Sequence, residues 1–332
     1  MLEQDKRYAQ GEVLQIIRSS PVRQAPRCPA FGVCGGCDWQ HLPYSLQWET
    51  KSKGVFHALQ RTQVEIPSSF DAFPAEQIWE YRNRIQLRGE GKQLGFFKSG
   101  SRDLVPVNRC DIARTELNQA WELTRSEGLC LTRPYKVEVE VKPNGEVTRV
   151  WNSRHSSGGF RQVHDEQNGK LRAWIEQVLS PVEVLYDLYG GSGNLSLPLA
   201  GKLQEIHCVD LGSPRERPAG VAPHFYFHRS AVLPWLFKQR SLRPLKKTAA
   251  AIVDPPREGL GKELNSIAAQ IESLGVTELI SVGCDPDAWA GDLSRWQKRG
   301  WRLDRIALVD LFPQTHHVES MGRLLRGDRD SQ

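Results

Sequence analysis

A strand that runs into a glycine-rich turn is the feature that most constrains how the C-terminal half can fold. Residues 182–189 are mostly apolar, and Gly190-Gly191-Ser192-Gly193-Asn194 follows them directly. Apolar residues from Leu195 onward predict that a helix begins after the turn. A strand, a glycine turn and a helix open the Rossmann-like sheets that bind nucleotides, because glycines let the backbone approach a ligand closely. The spacing is not GxGxxG and the turn has no Walker lysine, which disfavours a dinucleotide or a nucleoside triphosphate.

Other apolar strands in this half end in an acid or a thiol. Three such strands end at Asp210, Asp254 and Cys284, and open α/β sheets bind ligands at the carboxyl ends of their strands. Asp210 follows the turn by about 20 residues, as a ribose-binding acid does, although a capping role is the alternative. A lone cysteine is most often a core residue, but several such strand ends together predict a site. With Asp187 before a Gly-x-Gly turn, S-adenosylmethionine is the ligand that fits best.

Length and composition bound the class of protein. The chain has 332 residues, of which 39% are apolar, enough for two domains with real cores. No apolar run is long enough to span a bilayer, and the charged N-terminus does not resemble a signal peptide. We therefore expect a soluble, cytoplasmic protein, in which seven cysteines indicate metal-binding or catalytic uses rather than disulfides. A net charge of +5 is compatible with a nucleic-acid partner without requiring one.

Three cysteines lie close together near the N-terminus. Cys28, Cys34 and Cys37 form a C-x5-C-x2-C pattern in a glycine-rich loop, and Cys110 is the next cysteine in the chain. Structural zinc and iron–sulfur sites both usually take four ligands, so Cys110 is the natural fourth. Zinc sites usually present two close pairs, whereas three close ligands with one distant ligand favour an iron–sulfur cluster.

The middle of the chain alternates in the manner of β-structure from about residue 77 to residue 151. Before it, residues 43–61 have the periodicity of an amphipathic helix. Arg82 and Arg84 lie beside Tyr81, and cations among aromatic side chains suit RNA binding. A solvated, charged sheet face explains the same composition equally well.

Taken together and in this order, the motifs of the chain are similar to those of the RNA uracil-5-methyltransferases, and especially to the iron–sulfur branch that modifies 23S rRNA. The matching motifs are Cys28-x5-Cys34-Gly-Gly-Cys37 with Cys110, Tyr81-Arg-Asn-Arg84, Gly95-Phe96 with Gly100-Ser101, Phe160-Arg-Gln-Val163, Asp187-Leu-Tyr-Gly-Gly-Ser-Gly-Asn194, Asp254-Pro-Pro-Arg257, Cys284-Asp-Pro286 and Phe312-Pro with Thr315, His317 and Glu319.

The resemblance implies an α/β fold in which a Rossmann-like, S-adenosylmethionine-dependent methyltransferase domain is joined to a smaller β-rich central domain with the four-cysteine site. The boundaries expected are an N-terminal extension over 1–25, the central domain over 26–159 and the catalytic domain over 160–332. The helix over 43–61 is expected to pack on the catalytic domain.

The resemblance also implies a role for each matching residue. Cys284 would be the nucleophile that adds to carbon 6 of uracil, and Glu319 the base that removes the proton from carbon 5. Substrate contacts would come from Asp254, Arg82, Arg84 and His317. Cofactor contacts would come from Gln162, Asp187, Tyr189, Gly191, Gly193, Asn194, Asp210 and Asp254. Cys28, Cys34, Cys37 and Cys110 would hold a 4Fe–4S cluster with a structural or RNA-positioning role, since methyl transfer is redox-neutral.

The chain departs from the family pattern at several positions. Glycine replaces the usual cysteine at 190, Gly283 and Asp285 replace serine and asparagine around the nucleophile, and Gln314 replaces a histidine. The proline-rich residues 213–223 interrupt an expected helix, and the stretch before Cys28 is too short for the RNA-binding barrel of many relatives.

The alternatives are the same reaction on tRNA, a non-catalytic RNA-binding or ribosome-assembly factor, and a redox enzyme. The four cysteines argue against the tRNA branch, and retention of both Cys284 and Glu319 argues against a decayed enzyme. No flavin or nicotinamide motif supports redox chemistry. RNA is the partner expected, with no membrane and no obligate protein partner.

Overall fold

A computed structural model describes residues 3–4, 9–10, 13–131, 133–153, 161–240 and 248–327 of the chain. The helices are α1 (Tyr44–Arg61), α2 (Thr115–Gln119), α3 (Trp121–Gly128), α4 (Asp165–Val178), α5 (Val232–Arg240), α6 (Leu264–Ser273) and α7 (Pro286–Lys298). The strands are β1 (Glu3–Gln4), β2 (Ala9–Gln10), β3 (Asp71–Phe73), β4 (Arg84–Glu90), β5 (Gln93–Phe97), β6 (Leu104–Pro106), β7 (Tyr135–Val141), β8 (Val147–Trp151), β9 (Val184–Leu188), β10 (Glu205–Asp210), β11 (Phe225–Arg229), β12 (Ala249–Val253), β13 (Val276–Gly283), β14 (Trp301–Val309) and β15 (Glu319–Arg326).

The larger sheet has eight strands in the order β11-β10-β9-β12-β13-β15-β14-β3. The strands from β11 to β13 are parallel, and β15 runs antiparallel to both of its neighbours. The chain moves outward from β9 to β10 and β11, and then returns to the other side of β9 with β12. This reversal creates a switch point between β9 and β12, where open α/β sheets form a ligand crevice.

Apolar residues cover both faces of this sheet. The five residues of β12, Ala-Ala-Ala-Ile-Val, are all buried, because a central parallel strand is covered by helices on both sides. On one face the core includes residues of α6, α7 and α1, among them Val55 and Leu59. On the other face Trp174 of α4 lies in the core.

The smaller sheet is antiparallel, with five strands in the order β6-β5-β4-β7-β8. Alternate residues of β4 and β7 face a core that includes Leu87, Val137 and Trp121. The α/β class with a Rossmann-like sheet and a smaller β-rich unit is therefore confirmed. Strand β3, which precedes the smaller sheet in the chain, pairs with β14 of the larger sheet.

One expected helix is wrong. After the glycine turn the chain forms a short 3-10 turn, Leu197–Leu199, in place of a longer helix. Pro198 lies in that turn, and proline lacks the backbone N–H that a continuing helix needs. Residues 213–223 contain bends and turns and no helix, as their prolines predict.

The domain boundary expected between residues 159 and 160 lies outside the described residues, as does part of the expected 1–25 extension. Among the helices of the described ranges, none combines the length and the apolar character needed to cross a bilayer.

Candidate active site

Cys284 and Glu319 meet at the carboxyl edge of the larger sheet. Cys284 directly follows β13, and Glu319 begins β15, which runs antiparallel to β13. Gly283 pairs with Ser320, and the same register places Cys284 opposite Glu319. The turn after Cys284 is fixed by Asp285, whose carboxylate accepts the backbone N–H groups of residues 287 and 288 and caps α7.

The electrostatics of this pair are dominated by burial. Burial, together with the negative charge of Glu319, raises the pKa of the Cys284 thiol to about 11, and the Arg257 guanidinium acts in the opposite direction. Burial and the charge of Asp254 raise the pKa of Glu319 well above its usual range. The thiol is therefore mostly protonated at neutral pH, and Glu319 is a stronger base than an exposed carboxylate.

Asp254 follows β12, beside the end of β9. Its backbone N–H donates to the carbonyl of Leu188 at 3.3 Å, which sets it at the switch point of the sheet. Burial and the negative charges of Asp187 and Asp210 raise the pKa of Asp254 to about 7. The carboxyl groups expected at three successive strand ends are thus close enough to repel one another.

The glycine turn is tightly packed at position 190. A Cβ atom there would lie 2.5 Å from the carboxyl carbon of Asp187, so a larger residue requires Asp187 to move. Tyr189 has φ of 63°, in the left-handed region. Asp187 itself is fully buried, and burial raises its pKa to about 7 although the Ser196 hydroxyl donates to its Oδ2. Its Oδ1 is buried without a hydrogen-bond partner among the described residues.

Two expected cofactor contacts have partners within the protein. The Asn194 amide exchanges hydrogen bonds of 3.1 and 3.0 Å with Asn168 of α4, and its oxygen also accepts from Arg172. Asp210 Oδ1 accepts the backbone N–H of Gly212 at 2.5 Å. Asp210 thus makes the local turn contact of a capping residue at the same time as it borders the site.

Gln162 is buried, and its carbonyl accepts from the Asn83 amide at 3.0 Å. This contact joins the segment that contains Gln162 to the start of the smaller sheet.

Arg82 and Arg84 are each partly covered by other parts of the chain. The side chain of Arg84 is 11% exposed, donates to the Arg161 carbonyl and lies 3.9 Å from Glu138. Arg82 lines the cysteine cavity, and its Nε is buried with no hydrogen-bond partner in the part of the chain that the structure describes. The sequence pattern could not separate these positions from exposed cations, because β-strand alternation does not say which face is covered.

Arg257 is a site residue whose role the sequence did not reveal. Its Nη2 lies 3.3 Å from Nε2 of His317, and its charge acts on both Cys284 and Glu319. Burial, His316 and Arg257 lower the pKa of His317 to about 4, so the ring is neutral near pH 7. The position of Arg257 after two prolines, at the switch point of the sheet, was the sequence signal that could have identified it as a site residue.

The four predicted cysteine ligands line one cavity of about 180 Å³, which Arg82 also borders. Burial raises the pKa of Cys37 to about 12 and that of Cys110 to about 11. Over the described ranges, no three His, Cys, Asp or Glu side chains are grouped so as to hold a metal ion. The four thiols thus surround a common space, and a metal centre is not shown.

Comparison with known proteins points to one family. Residues 243–327 match the model of the tRNA (uracil-5-)-methyltransferase family. The chain is 28% identical over 343 residues to an uncharacterized RNA methyltransferase of Bdellovibrio bacteriovorus, covering 96% of this chain and 84% of that protein. It is 27% identical over 390 residues to the 23S rRNA (uracil(1939)-C(5))-methyltransferase RlmD of Cronobacter sakazakii, covering 96% and 86%.

A solved structure has the same fold. The tRNA (uracil-54, C5)-methyltransferase of Pyrococcus abyssi, in complex with S-adenosyl-L-homocysteine, superposes with a TM-score of 0.69 at 19% identity, covering 94% of this chain and 87% of that chain. The predicted resemblance and the predicted enzyme class are confirmed by these matches.

Proposed function

We propose that this chain methylates carbon 5 of a uridine in 23S rRNA and uses S-adenosylmethionine, because its residues 243–327 belong to the tRNA (uracil-5-)-methyltransferase family. The observation that carries the proposal is the placement of Cys284 opposite Glu319 at the switch-point edge of the sheet. A nucleophile and a base side by side, next to an acid that can bind a base edge, match what this reaction needs.

Cys284 would act as the nucleophile. Carbon 5 of uracil is not nucleophilic until a thiolate adds to carbon 6, which turns the ring into an enolate. The new carbon–sulfur bond places the electron pair on carbon 5 and the carbonyl oxygen. Bound S-adenosylmethionine would supply the methyl group to carbon 5, with its sulfur–methyl bond broken and S-adenosylhomocysteine as the leaving group.

Glu319 would complete the reaction. It removes the proton from carbon 5, and the electron pair of that C–H bond re-forms the double bond as the Cys284 thiolate leaves. A carboxylate whose pKa is raised by burial suits this step, because it holds the proton more firmly than an exposed glutamate does. Asp254 would bind the edge of the uracil, and His317 would contact the substrate beside it.

The glycine turn fits the cofactor. Tyr189, Gly191 and Gly193 have positive φ, so the turn presents backbone beside the buried carboxylate of Asp187. Gly191, Gly193 and Tyr189 would line the cofactor site, with Asp210 near the ribose and Gln162 at its edge. Asn194 would support the turn from α4.

The cysteine cavity has the donor set of an iron–sulfur cluster, because such clusters are usually held by four cysteine thiolates. Four cysteines line this one cavity of about 180 Å³. Cys28, Cys34, Cys37 and Cys110 would hold a 4Fe–4S cluster that stabilises the fold around them. Anaerobically purified protein should contain iron and acid-labile sulfide, both lost in Cys110→Ser; stoichiometric zinc without iron would reject the cluster.

Two of the compared proteins act on different classes of RNA. The aligned 23S rRNA enzyme favours rRNA, whereas the solved structure with the same fold belongs to a tRNA enzyme. In either case the target uracil must leave its stack to reach Cys284, so base flipping is implied.

Labelled methyl transfer from S-adenosylmethionine to unmodified 23S rRNA and to tRNA, offered separately, tests the reaction and the substrate together. We expect 5-methyluridine in 23S rRNA, none with Cys284→Ala, and a denaturant-stable protein–RNA adduct with Glu319→Gln. Product formed by Cys284→Ala would reject the assignment of Cys284 as the nucleophile. Label found in tRNA alone would show that the substrate is tRNA rather than 23S rRNA. Cofactor binding without label in either RNA would favour the non-catalytic RNA-binding alternative.

A further inference from the structure

The residues directly after Cys37 bind the loop that leads to Glu319. This β14–β15 loop, residues 310–318, accepts two hydrogen bonds at the Gln314 carbonyl, from the backbone N–H groups of Asp38 at 3.2 Å and Trp39 at 3.0 Å. In return, the Asp38 carboxylate accepts the His316 backbone N–H at 3.1 Å and contacts the ring Nδ1 at 2.5 Å. Asp38 therefore fixes both the backbone and the ring of His316.

From His316 the contacts continue to the reacting groups. The rings of His316 and His317 have centroids 4.0 Å apart, so the orientation of one restricts the other. A guanidinium has only donors, so Nε2 of the neutral His317 ring accepts from Arg257. Arg257 follows β12, which pairs with β13, so it lies at the sheet edge where Cys284 leaves β13. Its charge there lowers the pKa of both Cys284 and Glu319.

We infer that Asp38 is a positioning residue for methyl transfer, which acts through His316 and His317 to hold Arg257 at the edge of the larger sheet where Cys284 follows β13. This role deepens the proposed function and rests on it for the reaction, although not for the contacts themselves. Asp38 belongs to the cysteine-rich N-terminal segment. It links that segment to the chemistry at the edge of the larger sheet.

The fold does not depend on Asp38. Its side chain is 45% exposed and that of His316 is 58% exposed, and exposed ion pairs contribute little to stability. The loop backbone has other attachments, because Gln314 exchanges hydrogen bonds of 3.0 and 2.9 Å with Gln47 of α1. The Tyr81 hydroxyl also donates to the Pro313 carbonyl at 3.1 Å. A change at Asp38 thus frees the histidine rings while the loop stays in place.

The test compares Asp38→Ala and Asp38→Asn in the full chain, purified anaerobically. Glu49→Ala is the matched control, because it removes another exposed carboxylate that pairs with a neighbouring cation. Two rates are measured: methyl transfer to RNA, and reaction of Cys284 with a small disulfide reagent, followed on the Cys284 peptide by mass spectrometry. The second rate needs no RNA and reports the surroundings of the thiol directly.

We expect Asp38→Ala to lower the rate constant of methyl transfer about tenfold or more, because small misplacements of reacting groups are costly. The KM for S-adenosylmethionine should stay within about twofold, since the glycine turn is separate from this contact. Cys284 should also react more slowly in Asp38→Ala. Both rates of Asp38→Asn should fall between those of Asp38→Ala and the unmodified protein, because its amide oxygen still accepts from His316. Both rates of Glu49→Ala should match those of the unmodified protein.

Unchanged Cys284 reactivity and unchanged methyl transfer in Asp38→Ala would overturn the inference. A loss of bound iron or a lower unfolding temperature in both Asp38 variants would overturn it as well, because Asp38 would then act through the fold or the cluster. If the unmodified protein methylates no RNA, the proposed function fails, and the Cys284 reactivity still decides the role of Asp38.

Discussion

The Cys284 thiol should be largely protonated until substrate is bound, and Arg257 should limit how far its pKa rises. With a pKa of about 11, roughly one thiol in a thousand is ionised at pH 8, against about a quarter for an ordinary cysteine of pKa 8.5. The less acidic thiolate is intrinsically about 10- to 18-fold more nucleophilic toward disulfides. The two effects together predict that Cys284 reacts roughly 15- to 25-fold more slowly than a cysteine in a short peptide.

The assay is exchange with a small disulfide reagent from pH 7 to pH 9.5, with Cys284 resolved from the other thiols by mass spectrometry. Because ionisation lies above this range, the logarithm of the rate should rise with a slope of about one per pH unit and reach no plateau. Arg257→Met removes the group that lowers the pKa of the thiol and should shift this line to slower rates.

Arg257→Lys keeps a cation and serves as the control, with rates closer to those of the unmodified protein. Glu319→Gln should shift the line the other way, since the charge of Glu319 raises the pKa of Cys284. A plateau below pH 8.5, or an Arg257→Met protein as reactive as the unmodified one, would refute the reasoning. The thiolate would then be formed in the free enzyme with the help of a group other than Arg257.

Two predictions concern stability. Lys51 and Asp310 form an ion pair of 2.8 Å with both side chains fully buried, so Lys51→Met should lower the free energy of unfolding by about 3–5 kcal/mol in urea titrations. The exposed Lys53→Met on the same helix should change it by less than about 1 kcal/mol, and equal effects would contradict the distinction. A Cβ at Gly283 would lie 2.7 Å from the Trp289 ring, so Gly283→Ser should cost about 1–3 kcal/mol through overpacking. If the cost is the same in a Trp289→Leu background, the clash is not its cause.

Strand ends were the most predictable part of the site. Asp187, Asp210, Asp254 and Cys284 each follow an apolar run, and parallel strands must bring their carboxyl ends to one edge. Glu319 could not be placed this way, because it begins a strand that runs in the opposite direction. Only the resemblance to a known family pointed to it.

Contacts between distant parts of the chain were beyond the reach of local patterns. Arg84 carries the charge of a surface residue, yet residues 138 and 161 cover it. Asn194 belongs to a ligand-binding turn, yet its amide pairs with Asn168. In both cases the partner lies outside the local segment, so periodicity and propensity contain no information about it.

The attachment of early residues to the larger sheet determines how the chain can be divided. Strand β3 completes the sheet beside β14, Val55 and Leu59 of α1 are part of the core, and Lys51 neutralises a charge buried at Asp310. A fragment that starts at residue 160 would expose that strand edge and apolar surface to water and would leave Asp310 buried without its cation. We therefore expect that residues 160–332 alone do not form an autonomous folding unit, because their stability depends on residues that precede position 160 by more than 80 positions.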